Sequence, residues 1–358
     1  MKILFDSHIF ANQKIGGISR YHYELAAGLQ AKGHQPFIAG KFIKNHYLLS
    51  NKLQHQCFIS DTKAIFSGLN SIIIKSYLRK SNKFDIFHPT DTREYLLKSL
   101  PKNKPMVFTI HDMIPELLDN IDPFATSKYK FAQRASKIIA VSENTKNDII
   151  NIFNIPSEKI DVIYHGSSLF PDPKKHSNLK IPHKYLLFLG GRSRYKNFDF
   201  FVQAISPLLN SNKNLSLVCA GGKPFTEVEK SHIKELSIEN QVICYTQLSD
   251  SELAFLYTNS LAFIFPSIYE GFGIPILEAW ACKTPVLLSQ ASCFPEIASD
   301  GALYFNPQSI SSIQETINSV ISNDELRTNL INIGLQNLKN FNWNKTVNQT
   351  IQTYQSVL

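Results

Sequence analysis

The run Leu261-Ala-Phe-Ile-Phe-Pro-Ser-Ile-Tyr-Glu-Gly-Phe-Gly-Ile-Pro-Ile-Leu-Glu-Ala-Trp-Ala-Cys282 contains a strand, a turn and a helix in direct succession. The apolar stretch Leu261–Phe265 predicts a buried strand and Pro266 ends it. Ile274–Cys282 predicts a helix with Pro275 in its first turn, where a missing N–H costs nothing. Glu270 then falls on a loop, and Glu278 lies one turn into the helix. Gly271 and Gly273, on either side of Phe272, lack Cβ, so the backbone can turn sharply and approach a ligand. The free N–H groups of the helix start at Ile274 can take an anion. Two carboxylates, two glycines and a helix start at this spacing suit a sugar and a diphosphate together. The carboxylate of Glu278 suits a diol such as ribose, and Glu270 faces whatever lies beyond the phosphates. A single βα unit with two solvated glutamates would look the same, so the rest of the chain has to be read with it.

That strand and helix repeat a rhythm found throughout the chain. Apolar runs at Ile3–Phe5, Phe37–Ala39, Ile86–His88, Val107–Ile110, Ile138–Val141 and Ile160–Ile163 predict strands in the first half. Tyr185–Leu189, Leu215–Ala220, Val242–Tyr245, Leu261–Phe265, Val286–Leu288 and Leu303–Phe305 predict strands in the second. Short apolar strands separated by helical patterns imply parallel sheets covered on both faces, and two such sets imply an α/β protein of two doubly wound, Rossmann-like domains. The polar, Pro- and Lys-containing segment Ser167–Pro182 reads as the linker. The expected division is residues 1–170, residues 171–340, and a last helix over 341–358.

Composition narrows the classes. The chain has 358 residues, enough for two cores, with 43% hydrophobic and 18% charged residues as in a folded soluble protein. No apolar run approaches the roughly 20 residues of a membrane helix, and the N-terminus reads as a strand instead of a signal peptide, which predicts a cytoplasmic protein. The cysteines Cys57, Cys219, Cys244, Cys282 and Cys293 are scattered through apolar segments and read as reduced core residues. Thirty-seven Lys and Arg against 29 Asp and Glu give a net charge of +8, which favours an anionic partner without choosing one.

Further candidates stand at predicted strand ends, where open α/β sheets bind ligands. Gly190-Gly191-Arg192-Ser-Arg-Tyr-Lys196 follows the first strand of the second half, and Arg192 and Lys196 can stabilise the charge of a leaving diphosphate. Arg194 is a weaker candidate. Gly16-Gly17 precedes an amphipathic helix over Ile18–Gln30 and lets the backbone approach a phosphate; it is not the GxGxxG of a dinucleotide site. Val107–Ile110 ends in His111-Asp112, where Asp112 either orients His111 or caps the turn before Pro115. His165 either lines a site or packs. Tyr245 ends the predicted strand Val242–Tyr245, and Leu248 lies just beyond it. The segment Lys63–Lys80 is apolar at helical spacing with cations at its end, which fits either a helix covering the sheet or one lying on an anionic membrane. No HExxH or clustered Cys/His pattern suggests a metal.

With Glu270 and Glu278 separated by seven residues, and with the Gly-Gly-Arg…Lys and His-Asp segments, the chain resembles the retaining glycosyltransferases of family 4. The resemblance implies the GT-B architecture, two Rossmann-like domains facing an interdomain cleft, with the last helix packing back on the first domain. The first domain would bind the acceptor and the second the nucleotide sugar. It gives Glu270 the donor sugar, Glu278 the ribose, Arg192 and Lys196 the diphosphate, and His111 the far side of the sugar. Gly16 and Gly17 would lie beside donor and acceptor, Gly191, Gly271, Phe272, Gly273 and Ile274 would line the donor site, and Tyr245 and Leu248 would stand where similar enzymes bind the nucleobase. No metal or other cofactor is implied. Phe87-His-Pro-Thr90 and Thr109-Ile-His-Asp-Met-Ile-Pro115 are similar to bacterial mannosyltransferases of O-antigen or capsule assembly. That likeness implies GDP-mannose as donor, a polyprenyl-diphosphate-linked oligosaccharide as acceptor, no nucleic acid, and peripheral contact with the inner face of the membrane. The alternatives are a UDP- or dTDP-sugar donor, a non-catalytic GT-B binding protein, and a Rossmann oxidoreductase.

Overall fold

All twelve strands expected from apolar runs form, and every ladder among the described residues is parallel. The structure is a computed structural model that describes residues 1–50, 58–59, 65–119, 121–171 and 179–358. The chain divides into one unit of Met1–His165 with Trp343–Leu358 and another of Gly166–Asn342. Gly166–Phe170, expected in the first domain, therefore go with the second unit, and part of the expected linker, together with Cys57, lies outside the described residues.

In the first unit, β1 (Lys2–Asp6) pairs with β2 (Gln35–Ala39) on one side. Two short strands that no apolar period announces, β3 (Phe42–Ile43) and β4 (Phe58–Ile59), pair with each other. On its other side β1 pairs with β5 (Ile86–His88), and β6 (Val107–Ile110), β7 (Lys137–Ala140) and β8 (Ile160–Val162) form the next ladder. A parallel bridge from Phe87 to Met106 joins the two ladders, giving the order β2-β1-β5-β6-β7-β8. The helix Ile65–Arg79 covers this unit through buried Ile74 and Leu78. Its buried Asn70 fixes β3, with Oδ1 accepting from Lys41 N and Phe42 N at 3.0 and 3.1 Å and Nδ2 donating to Phe42 O at 2.7 Å.

The last helix, Trp343–Gln355, packs within this first unit. Val347 and Tyr354 are buried with Phe5, Tyr21 and Leu25. Gly28 permits the approach, since a Cβ there would lie 2.5 Å from Val347 Cγ2. A polar chain locks the helix to the sheet: the Tyr354 hydroxyl bonds His88 Nδ1 at 2.6 Å, His88 Nε2 bonds Thr109 Oγ1 at 2.9 Å, and Thr109 Oγ1 bonds the Tyr21 hydroxyl at 3.0 Å.

In the second unit β9 (Lys184–Leu189), β10 (Leu215–Ala220), β11 (Val242–Tyr245), β12 (Ala262–Phe265), β13 (Val286–Ser289) and β14 (Leu303–Phe305) form one sheet in the order β11-β10-β9-β12-β13-β14. The chain winds outward from β9 to β11, then restarts on the other side of β9 with β12. The order therefore reverses between the neighbouring strands β9 and β12, and it is at the carboxyl ends of such a pair that doubly wound sheets bind ligands. The inner strands are buried on both faces, so they appear in sequence as largely apolar runs.

Candidate functional site

Lys196 and Glu270 meet at that switch point. After β9 the chain turns at Gly190 (φ +105°), makes a short 3-10 turn over Arg194–Lys196, and enters the helix Phe198–Ser211 through Asn197 at φ +57°. After β12 the loop runs to Gly273, whose φ of +94° starts the helix Ile274–Ala281. A side chain at Gly273 would be strained at that φ, and its Cβ would lie 2.9 Å from Ile276 Cδ1. The two loops are joined through the backbone, Ile268 N donating to Tyr195 O at 2.8 Å. One residue beyond Tyr195, Lys196 Nζ donates to Glu270 Oε1 at 2.6 Å, with both side chains mostly shielded from water. Such a charge-assisted bond fixes an ammonium and a carboxylate together at the carboxyl ends of β9 and β12.

Glu278 is buried, one turn into its helix, and accepts from the Tyr257 hydroxyl at 3.3 Å. Burial, and then the Glu278 charge, push the Tyr257 hydroxyl well above its ordinary pKa, so it stays a donor to the carboxylate; the same two causes push the Cys282 thiol up to about 12. Gly271 and Phe272 are buried in the loop.

Arg192 and Tyr245, both expected at the donor, have partners within the protein. Arg192 is held by Glu229, with Nε donating to Oε1 at 2.6 Å, and its Nη2 donates to Lys223 O and Pro224 O at 2.8 and 3.1 Å. Its guanidinium lies over the rings of Phe225 and Phe198, leaving Nη1 buried and unpartnered. Glu229 also closes the capping box of the helix Glu227–Glu235, and this carboxylate beside the end of β10 captures the arginine. Lys196 is therefore the cation that this loop holds at the switch point, while Arg194 is exposed and Gly191 faces open space. The Tyr245 hydroxyl donates to Lys180 O. Leu248, half-buried, follows Gln247 at φ +56° and leads into the capping box of Ser249 and Glu252.

In the first unit His111 belongs to a group of four buried or half-buried imidazoles. His22 lies 5.5 Å from His88 and 5.8 Å from His111, and His111 lies 5.8 Å from His165, as ring centroids. Burial pushes His88 down to about 3 and His111 to about 4, and holds His22 and His165 well below the ordinary value. All four are neutral at physiological pH, and His111 Nε2 is buried and unpartnered, a group that a ligand hydroxyl would satisfy. Asp112 serves as a turn cap, its Oδ1 accepting from Ile114 N at 3.1 Å. His165 packs between Tyr21 and Trp343. Gly16 is extended, and Gln13 lies over it, accepting from Ser19 N at 3.2 Å. Among the described residues no group of three or more His, Cys, Asp or Glu side chains is placed to hold a metal ion, and no helix is long and apolar enough to cross a membrane.

The sequence motifs do not reveal what holds the glutamate loop. Ser289 Oγ donates to Ser267 O, and Ser292 Oγ both accepts from Glu270 N at 3.0 Å and donates to Glu270 O. The signal available was a Ser-x-x-Ser spacing just after β13, which is too common to single out.

Two parallel doubly wound units, with a lysine and two glutamates set around the switch point of the second, define the class: a GT-B glycosyltransferase. The comparisons agree. Residues 171–336 match the model for glycosyl transferases group 1, residues 15–169 match the model for Glycosyltransferase Family 4, and the chain belongs to this glycosyltransferase family. It is 31% identical to the O-antigen chain mannosyltransferase RfbU of Salmonella typhimurium over 62% of each chain. It is 26% identical to O-antigen chain mannosyltransferase B of Escherichia coli over 99% of each. Among solved structures, HepE of Anabaena in complex with UDP-glucose superposes with a TM-score of 0.77 at 18% identity, covering 99% of this chain and 100% of that one.

Proposed function

We propose that the protein transfers mannose from GDP-mannose, with retention at the anomeric carbon, to a lipid-linked oligosaccharide in surface polysaccharide assembly. The observation that carries the reading is the Lys196–Glu270 pair at the β9/β12 switch point, beside a helix that starts at Gly273. Lys196 takes the diphosphate, aided by the helix start, and Glu270 takes hydroxyls of the transferred sugar. Glu278 takes the ribose. In front-face displacement the diphosphate oxygen helps to deprotonate the acceptor hydroxyl while an oxocarbenium-like sugar forms. The protein then needs to hold negative charge on the leaving group, which Lys196 supplies without a metal ion. Within the first unit, the buried and unpartnered Nε2 of His111 is a group that a hydroxyl of a ligand bound by that unit would satisfy.

Mannose is supported by the names of the two relatives. UDP-glucose in HepE keeps a UDP-sugar as the second donor reading. The helix Ile65–Arg79 shows solvent Leu69 and Ile72, exposed 41% and 65%, next to exposed Arg79 and Lys80, which supports peripheral contact of a cytoplasmic protein with an anionic membrane. Flotation with anionic vesicles at low salt is expected to show binding, and its absence removes the membrane contact. The transfer is tested by incubating the protein with GDP-mannose and a synthetic lipid-diphosphate oligosaccharide in EDTA and assigning the new linkage by NMR. An α-mannosyl product is expected. A product formed only from a UDP-sugar, or only after adding magnesium, contradicts the corresponding part of the proposal.

A further inference from the structure

Ser292 stands in the loop between β13 and the helix Phe294–Ala298, in the left-handed region at φ +54°, a conformation uncommon for a residue other than glycine, asparagine or aspartate. Strain of this kind persists where surrounding structure fixes it. Here its hydroxyl meets both backbone groups of Glu270, accepting from the N–H at 3.0 Å and donating to the carbonyl oxygen. On the opposite side, Ile268 N is bonded to Tyr195 O. The glutamate loop is thus pinned twice, once to the residue preceding Lys196 and once to Ser292. Three residues upstream of Ser292, Ser289 Oγ donates to Ser267 O, a further tie between the end of β13 and the loop after β12. Glycine at 292 would relieve the backbone but would remove both bonds to Glu270.

We infer that Ser292 is a positioning residue: its two bonds set the backbone of Glu270, and so the direction of the carboxylate that would hold the transferred sugar. The inference rests on the donor-site reading above. Misplacing a group that orients a reacting sugar by about 1 Å can cost on the order of a hundredfold in rate.

The experiment measures steady-state release of GDP from GDP-mannose, water serving as acceptor, and GDP affinity by calorimetry. It uses the full chain as wild type, Ser292→Gly, Ser292→Ala, Glu270→Gln and the Ser292→Gly/Glu270→Gln double variant. Both serine variants should keep wild-type GDP affinity and lose roughly ten- to a hundredfold in kcat. The double variant should be no slower than Glu270→Gln, because the serine acts through the glutamate. If Glu270→Gln loses turnover while both serine variants stay within about twofold of wild type, the positioning role is wrong and the donor-site reading stands. Multiplication of the two losses in the double variant also overturns it, since Ser292 would then act independently. If Glu270→Gln turns over like wild type, the donor-site reading falls and takes this inference with it.

Discussion

Lowering the pH should unfold the first unit before it disturbs the second. His22, His88, His111 and His165 are buried or half-buried there as neutral rings, His88 pushed down to about 3 and His111 to about 4, the other two well below the ordinary value, all chiefly by burial. A base whose pKa is depressed by folding binds fewer protons folded than unfolded. Its contribution is therefore complete above an unfolded value of about 6.5 and is lost as pH falls through it towards the folded value. His8, pushed down to about 4 chiefly by burial, acts in the same direction, so five histidines of the first unit lose their contribution as pH falls below about 6.5. Asp6 acts in the opposite sense. It is fully buried and raised to about 6, so its folded form takes a proton first. That opposes only part of the loss, one carboxylate against five imidazoles, so by pH 5 the net loss is several kcal/mol, a large share of the roughly 5 to 15 kcal/mol that holds a domain folded. The chain has two tryptophans, Trp343 in the first unit and Trp280 in the second, so a Trp280→Phe variant reports the first unit alone. Urea titrations of that variant from pH 7.5 to 5 should show the Trp343 transition falling steeply, with a slope near pH 5 of several protons. A midpoint that stays constant to pH 5 would refute the account of the buried imidazoles.

Three further outcomes follow from the packing. Tyr354→Phe removes the hydroxyl bonded to His88 Nδ1 and should cost the first unit about 1 to 3 kcal/mol in urea unfolding, leaving nucleotide binding unchanged. Gly334→Ala would place a Cβ 2.3 Å from Trp280 Cδ1, and should cost the second unit about 1 to 3 kcal/mol with altered Trp280 fluorescence. Arg192→Met leaves Glu229 without its partner and should lower the melting temperature. Because Arg192 is committed to Glu229, Lys223 and Pro224, its effect on GDP affinity in calorimetry should be smaller than that of Lys196→Met.

The sheets were legible because parallel strands covered on both faces must be apolar throughout, so Leu215–Ala220 or Val286–Ser289 stand out without an alternating pattern. Glu270 and Lys196 were legible for a different reason: both follow strands that share a switch point, and strand ends are where a doubly wound sheet exposes chemistry. What a linear reading lacked was information on competing partners. Arg192 and Lys196 look equivalent in the loop, yet Glu229, brought near by β10, takes the first, while Glu270, brought near by β12, takes the second. Ser292 was invisible because its role depends on its backbone angle and on a hydroxyl aimed at main-chain atoms of another loop. The short strands Phe42–Ile43 and Phe58–Ile59 span too few residues to show any period. Likewise Asp112 could be read as an orienter of His111 until its carboxylate was seen accepting from Ile114 N.

The donor site is tested most directly by titrating GDP into the wild-type protein and into Lys196→Met by calorimetry in EDTA. Wild type should bind without a divalent metal, and Lys196→Met should lose a charge-assisted bond of about 1.5 to 3 kcal/mol, roughly a ten- to hundredfold weaker affinity, while remaining folded. Equal affinity in the two proteins, or wild-type binding that requires magnesium, would contradict a diphosphate held by Lys196 at the β9/β12 switch point.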